Sequence, residues 1–517
     1  MSFPDTIMSS RGSEVSELAV TFHPALYLQR RGWVLDIMRR EGVTEILDIG
    51  CGEGELLSCL CNPAPWLAPP PPDVLPPATD ASPAETDVLK ELHEWVLHPT
   101  RIAGLDICKS ELECAARVTK PPEPDRDDVP WHSTPVRWEP LEVKIWEGSL
   151  EHVNAEYAGV ECIVATEVIE HLPEHVLDRF APVVFGAYHP RLVLLTTPSF
   201  TFNARFTAPD APYEARSGWR DPTGRTDRIF RHHDHKFEWT VEEFERWCQS
   251  VAGEWGYTVE IEGVGKAQEK DEWGRDDALG WATQCAAFTR IEGGDWVTKR
   301  AAALWEASDR LHARTGSPGP HSLFASHRFA ANDASRSPKP LDVVGELVLS
   351  KMLYHRETSI ALNEIWFERE VELACGGWID WLVRAIQEHP GLALRRTVLA
   401  SRIDPHWTIE LDPALHHLVP PPAIREDIWP SPPDTEELTD LEEAVDMIGS
   451  RQDGSILVKD ADLETYEEGW GAESEDAKTG WGNVQIDWGW GKAGGDGDRM
   501  PDFGAPEASG GETWTWG

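Results

Sequence analysis

Basic residues are scarce: 47 Lys and Arg stand against 90 Asp and Glu, a net charge of −43 over 517 residues. That balance excludes a protein that coats nucleic acid by charge alone, but not one with a local basic groove, because the sum includes any tail. Long apolar runs are missing. None approaches the ~20 residues of a bilayer span, and the start, MSFPDTIMSSRGSEVS, lacks the basic-then-apolar form of a signal peptide. The expectation is a soluble monomer with no membrane partner, cytoplasmic, with the nucleus as a second location. Paired cysteines are missing too. Nine are scattered without C-x-x-C spacing in a chain long enough to bury a core, which argues against a disulfide framework and against structural zinc.

What is present is an alternation of strand and helix. A helix is expected over 22–41, then a strand at 45–50 ending in the glycine-rich turn GCGEGELL. Residues 62–84 are so rich in proline that they read as a surface insertion. Further strands are expected at 101–108, 143–150, 161–167, 191–198, 259–265 and 283–291, with helices at 85–97, 173–187 and 240–253. This spacing implies βαβ units in a mostly parallel sheet, an α/β domain over 21–295 after a disordered 1–20. Two amphipathic helices, at 340–356 and 366–388, suggest a small, mostly helical accessory domain within 296–425. From 426 to 517 the chain is acidic, poor in aliphatic residues and Gly-rich, and is expected to be disordered.

Asp48, Gly50, Gly52 and Gly54 fall where the first strand meets a helix, and glycines there let a ligand approach the backbone. The spacing D-x-G-x-G-x-G resembles motif I of class I S-adenosylmethionine-dependent methyltransferases, a Rossmann-like fold. That resemblance implies that Asp106, ending the second strand, holds the ribose hydroxyls and that Ser149, after the third, touches the adenine. Glu167, Glu170 and His171 lie at a later strand end, in TEVIEHL. Pro173 keeps the residue before it out of the α region, so these three project from a strand-to-helix turn. RHHDHKFEWT adds His232, His233 and His235. Two carboxylates with two imidazoles would form a mixed O/N site with about two octahedral positions open.

The segments FHPALYLQR, ILDIGCGEGELL, GLDIC, EGSL, TEVIEHL, FAPVVFGAYHPRLVLLTTPSFTFN and DHKFEWT, in this order, resemble the small-RNA 2′-O-methyltransferases of the Hua-enhancer family over about 21–295. The resemblance implies methylation of the 3′-terminal ribose of small silencing RNAs. It also implies one Mg²⁺ or Mn²⁺ held by the catalytic set Glu167, Glu170, His171 and His235, with His232 and His233 outside the motif position. The departures are the 62–100 insertion, Ala25 and the C-terminal half. A vicinal-diol or catechol-like small molecule is the alternative substrate. Arg30, Arg205 and Lys236 are the chief candidates for RNA phosphate contacts, with Arg31, Arg220, Arg225, Arg228 and Arg231 beside them, and Phe200 or Phe202 for stacking on a terminal base.

Six of the 25 tryptophans fall in the last 48 residues: Trp470, Trp481, Trp488, Trp490, Trp514 and Trp516. Spaced rings on a flexible chain can fill separate pockets and add through effective concentration. The pattern resembles the Gly–Trp hooks that bind Argonaute proteins, which makes Argonaute an expected partner and a scaffolding role a further alternative.

Overall fold

The structure, a computed structural model, describes residues 17–76, 83–122, 135–312, 320–397 and 406–419. The tail beyond 426, with its six tryptophans, lies outside the described residues.

One sheet organises the first domain. Its strands are β1 (Glu45–Ile49), β2 (Arg101–Asp106), β3 (Leu141–Glu147), β4 (Cys162–Thr166), β5 (Leu192–Pro198), β6 (Tyr257–Val264), β7 (Thr283–Arg290) and β8 (Ser322–Phe329). They run in the order β8-β3-β2-β1-β4-β5-β7-β6. The five strands β3-β2-β1-β4-β5 are mutually parallel, while β7 lies antiparallel to both β5 and β6. This is the class I methyltransferase arrangement anticipated from the motifs. The central strands are apolar almost throughout because both faces are covered. Helices α1 (Leu26–Arg40), α2 (Glu55–Cys61) and α4 (Lys109–Val118) cover one face. On the other lie α5 (Glu174–Ala181), α6 (Val241–Trp255) and α7 (Gly294–His312). Between β1 and β4 the strand order reverses, and a crevice opens there at the carboxyl ends of the strands.

Three expected boundaries move. Residues 17–20 belong to the folded part: Val20 is buried with Phe202 and Phe206, and the Leu18 N–H donates to the Phe206 carbonyl at 2.8 Å. The sheet also extends past 295, because β8 pairs antiparallel with β3. Finally, the proline-rich segment is not merely a surface excursion. Leu67 is buried and donates its N–H to Gly377 at 2.8 Å, and the Pro65 carbonyl accepts the indole N–H of both Trp138 (3.2 Å) and Trp366 (3.0 Å). Proline removes backbone donors but not acceptors, so a proline-rich strip can still be docked through its carbonyls. The segment leads into α3 (Pro83–Glu94).

The accessory domain is mixed rather than mostly helical. A three-stranded antiparallel sheet, β9 (Ser359–Ala361), β10 (Leu392–Thr397) and β11 (His406–Leu411), with β11 central, packs against α8 (Leu341–His355) and α9 (Ile379–Glu388). Leu89 and Leu92 of α3 and Trp66 of the proline-rich strip pack on the same core. No helix among the described residues is long and apolar enough to cross a membrane.

Candidate active site

The turn after β1 is built for close approach. Gly50, Gly52 and Gly54 all have positive φ (68°, 51° and 85°). A Cβ on Gly50 would lie 2.6 Å from Val168 Cγ2, and one on Gly54 2.8 Å from Ala115 Cα. Only glycine fits either place. The Gly52 N–H donates to Asp106 Oδ2 at 3.0 Å, and the Asp106 Oδ1 accepts from Ile107 (2.7 Å) and Cys108 (2.9 Å). A carboxylate has about four lone-pair sites, so one is left for a ligand hydroxyl. Burial raises the Asp106 pKa, against the pull of these three N–H groups. Asp48, one strand away, is pushed up to about 8 by burial and by the Asp106 carboxylate.

Two clefts meet at Gly50. One is a narrow apolar slot lined by Leu105, Asp106, Ile107, Gly148, Leu150 and Val168. The other, of about 400 Å³, is the more polar of the two and is lined by Arg30, Asp48, Gly52, Glu111 and Glu167 among others. Ser149 departs from expectation. Its buried hydroxyl turns to Glu151, accepting that residue's N–H at 3.2 Å, and its neighbours Gly148 and Leu150 line the slot instead.

At the end of β4, Glu167 takes φ +56°, a left-handed conformation that costs a side-chain-bearing residue energy. Its carboxylate accepts the Thr196 hydroxyl at 2.8 Å and pairs with Arg30 at 2.8 Å. A 3₁₀ turn, Ile169–His171, follows, and the regular helix α5 begins only after Pro173, as the sequence implies. Glu170 is fully buried. Its Oε2 accepts from the Thr197 hydroxyl at 3.0 Å, whereas its Oε1 has no hydrogen-bond partner among the described residues. Burial, then the Glu167 charge, raises its pKa well above the carboxylate range.

The DHKFEWT segment closes the site. It is anchored behind by a capping box, Thr240 with Glu243, at the start of α6, and in front by the Lys236 N–H donating to the Glu170 carbonyl at 2.7 Å. Ligand nitrogens of His171, His232 and His235 lie within 4.8 Å of one another. That grouping contains two of the four expected metal ligands and adds His232, which the motif position leaves out. Glu167 and Glu170 are not in it, and His233 is exposed beyond it. The three rings are wired differently. His171 Nδ1 faces Asp234 Oδ2 at 3.3 Å, and His235 Nδ1 faces Glu238 Oε1 at 2.7 Å. His232 Nδ1 instead accepts the Asp234 N–H at 3.2 Å. Burial first, then His171, lowers the His235 pKa well below the usual imidazole value, so its ring is neutral. Asp234 and Glu238 were not singled out in the sequence, although they flank His235 at −1 and +3. Glu238 is itself buried, pushed up to about 7 by burial, and accepts from Asn203 at 2.6 Å and from the Arg231 N–H at 2.8 Å.

Of the expected phosphate contacts, Arg205 is corrected. Arg205 is buried, beside Asp271 at 3.7 Å and Asp276 at 3.5 Å, and donates to the Glu269 carbonyl. It braces the loop after β5 and cannot reach a phosphate. Arg30 points into the polar cleft, and Lys236 is held by Asp234 at 2.8 Å. Arg31, Arg225, Arg228 and Arg231 pair with Glu55, Glu174, Glu243 and Glu17. Phe202 is buried against Phe22 and Phe206 and offers no open face, while the Arg228 guanidinium lies 4.6 Å over one face of Phe200, whose side chain also lines a pocket with Arg216 and Arg231.

With this geometry in place the relatives are informative. A curated small RNA 2′-O-methyltransferase of Gallus gallus is 28% identical over 271 residues, and one of Xenopus tropicalis 30% identical over 269. Over this domain the chain is similar to small-RNA 2′-O-methyltransferases. The matches take in 52% of this chain and cover 55% and 56% of those two proteins, so the chain spans little more than half the length of the curated relatives it matches. The crystal structure of the small RNA methyltransferase HEN1 superposes with a TM-score of 0.37 at 23% identity, over 60% of this chain and 28% of that one. The fold assignment rests instead on the strand order itself. No family model matches the chain.

Proposed function

We propose that the protein transfers the methyl group of S-adenosylmethionine to the 2′-hydroxyl of the 3′-terminal nucleotide of small RNAs, using a divalent metal (Mg²⁺ or Mn²⁺) held by Glu167, Glu170, His171 and His235. One observation carries this reading. Two imidazoles each have Nδ1 opposite a carboxylate, and Glu170, the residue before His171, keeps a buried oxygen without a hydrogen-bond partner among the described residues. A ring held through Nδ1–H presents its Nε2 lone pair to a metal, and the carboxylate behind it raises its basicity. His232 is wired the other way. With Nδ1 accepting a backbone N–H, the neutral ring carries its proton on Nε2 and serves as a donor, not a ligand.

A divalent cation at this place would stabilise the ionised form of the attacking hydroxyl. The chain's residues do the rest. The apolar slot suits an adenine, the fourth acceptor site of Asp106 suits a ribose hydroxyl, and the polar cleft suits the amino-acid end of the cofactor. Glu167 lines that cleft, so the sulfonium methyl and the terminal ribose would meet beside it, where orientation supplies most of the rate. The O–CH₃ bond forms as the S–CH₃ bond breaks, the sulfur leaves as the neutral thioether of S-adenosylhomocysteine, and the hydroxyl proton passes to solvent. Arg30 balances the Glu167 charge and would give way to a cation.

The test is full-length protein with labelled S-adenosylmethionine and Mn²⁺ or Mg²⁺, offered RNAs ending in a 2′,3′-diol, a 3′-phosphate or a 2′-deoxyribose. Methylation of the diol alone, abolished by chelator, is expected; equal methylation of the phosphorylated end would overturn the reading. The tail tryptophans are proposed to bind Argonaute. Full-length protein should co-precipitate it and lose it when the six are replaced by Ala, and retention by that variant would refute their role.

A further inference from the structure

An aromatic ring stands open beside the histidines. Trp219 is 44% exposed, its ring centre 5.9 Å from that of His233 and 6.4 Å from that of His232. His232 in turn lies 5.2 Å from His235 and 5.7 Å from His171. Leaving a tryptophan this exposed forgoes the burial of a large apolar surface, and neither the fold nor the proposed chemistry uses it.

Its position is fixed. A short hairpin pairs Trp219 with Phe230 and Arg220 with Ile229, and the second strand runs directly into Arg231, His232 and His233. Gly218 has φ +136°, and a Cβ there would strike the Phe230 carbonyl oxygen, so the backbones are pressed together at this point. The hairpin turn is tied by Asp221, whose two oxygens accept the N–H groups of Thr223 (2.7 Å) and Thr226 (3.0 Å). A ring on such a support is a platform and not a floppy surface side chain. Exposed Arg216 and Arg220 flank it in sequence and can accompany a phosphate.

We infer that Trp219 is the stacking platform for the base of the RNA's 3′-terminal nucleotide, which must therefore be unpaired. This rests on the reading of the site proposed above. A base is joined to its ribose by one bond, so a base lying on this ring keeps its sugar within reach of the neighbouring histidines. Every base has a π-face, which makes such a platform tolerant of sequence. It would exclude a blunt duplex end, whose last base is already stacked and paired.

The experiment uses full-length wild type, Trp219→Ala and Trp219→Phe with two single-stranded RNAs. One carries 2-aminopurine as its 3′-terminal base; the other ends in an abasic ribose with both hydroxyls. Binding should quench the 2-aminopurine in wild type and Trp219→Phe but not in Trp219→Ala. Stacking on an aromatic is worth about 1–3 kcal/mol per base, so removing the base should raise the wild-type KM about 5- to 150-fold with kcat little changed. In Trp219→Ala, removing the base should cost nothing further. Equal quenching in Trp219→Ala, or the same abasic penalty in both proteins, would overturn the inference. Methylation of the unmodified diol RNA by wild type reports separately on the proposed function, while quenching decides the platform whether or not methyl is transferred.

Discussion

Asp106 and Glu170 are both buried carboxylates with raised pKa values, one on each side of the crevice, and their surroundings differ. Asp106 collects three backbone N–H groups from two loops, which makes it part of the turn it faces. Glu170 receives one hydroxyl and keeps one oxygen unpaired, next to a left-handed Glu167 and three clustered imidazoles. The cofactor side is therefore self-consistent as folded, while the other side concentrates strain and unsatisfied acceptors. An unsatisfied buried acceptor costs about 1–3 kcal/mol, and sites that retain such costs are where chemistry is expected.

This contrast can be broken most forcefully at Glu170. Glu170→Gln should reduce methyl transfer by more than the ~100-fold seen for an outer partner of a metal ligand, with the S-adenosylmethionine dissociation constant unchanged by calorimetry. A loss of cofactor affinity instead would mean that the two sides are one site. Glu238→Gln sharpens the comparison. It leaves His235 in place but weakens its tether, so metal affinity should fall about 10- to 100-fold and activity should return at high Mn²⁺. Activity that stays low at saturating metal would show Glu238 to be merely structural. The reverse case is Asp106→Asn. Hydrogen bonds to a charged group are worth about 1.5–3 kcal/mol, so cofactor affinity should drop about tenfold or more while metal titrations do not move.

A last test lies away from the chemistry, in stability, and depends on pH. The Asp48 carboxyl sits at about 8 in the folded chain, against ~3.9 when unfolded. Between those values the unfolded chain has released a proton that the folded chain retains, so this group lowers stability as pH rises from about 4 toward 8. Asp48→Asn should therefore melt with wild type near pH 4 and above it near pH 7.5, where each ~1 kcal/mol shifts Tm by about 2–4 °C. A difference that is the same at both pH values would remove Asp48 as its cause.

Much of the cofactor side was legible because its chemistry is local. Glycines at fixed offsets after an apolar run, and an acid closing the next strand, specify a turn without any long-range information. The histidine segment was legible as chemistry but not as wiring. The motif position already picks His235 over His232, but the physical reason, which Nδ1 meets a carboxylate and which a backbone N–H, is not encoded in a run of three nearby histidines. The arginines misled for a related reason. Arg205 follows an aromatic loop as an RNA-facing residue would, but its partners Asp271 and Asp276 lie some 70 residues on, so its burial is a tertiary fact. Trp219 gave no signal because it became notable only when a hairpin set it beside His232.

The Pro65 carbonyl has an awkward lesson for anyone trimming this protein. By composition, residues 62–76 look like the first stretch to delete. Yet that one oxygen takes an indole N–H from Trp138, just ahead of β3, and another from Trp366 in the accessory domain. Excision would strand two donors at once and unseat Leu67 from between Trp138 and Trp378. A shortened protein ending at 295 would also strip β8 from β3 and bare a sheet edge that invites association. The two domains share a seam, so a substitution on the accessory side can be felt as a loss of the first domain's solubility without touching a single residue of the crevice.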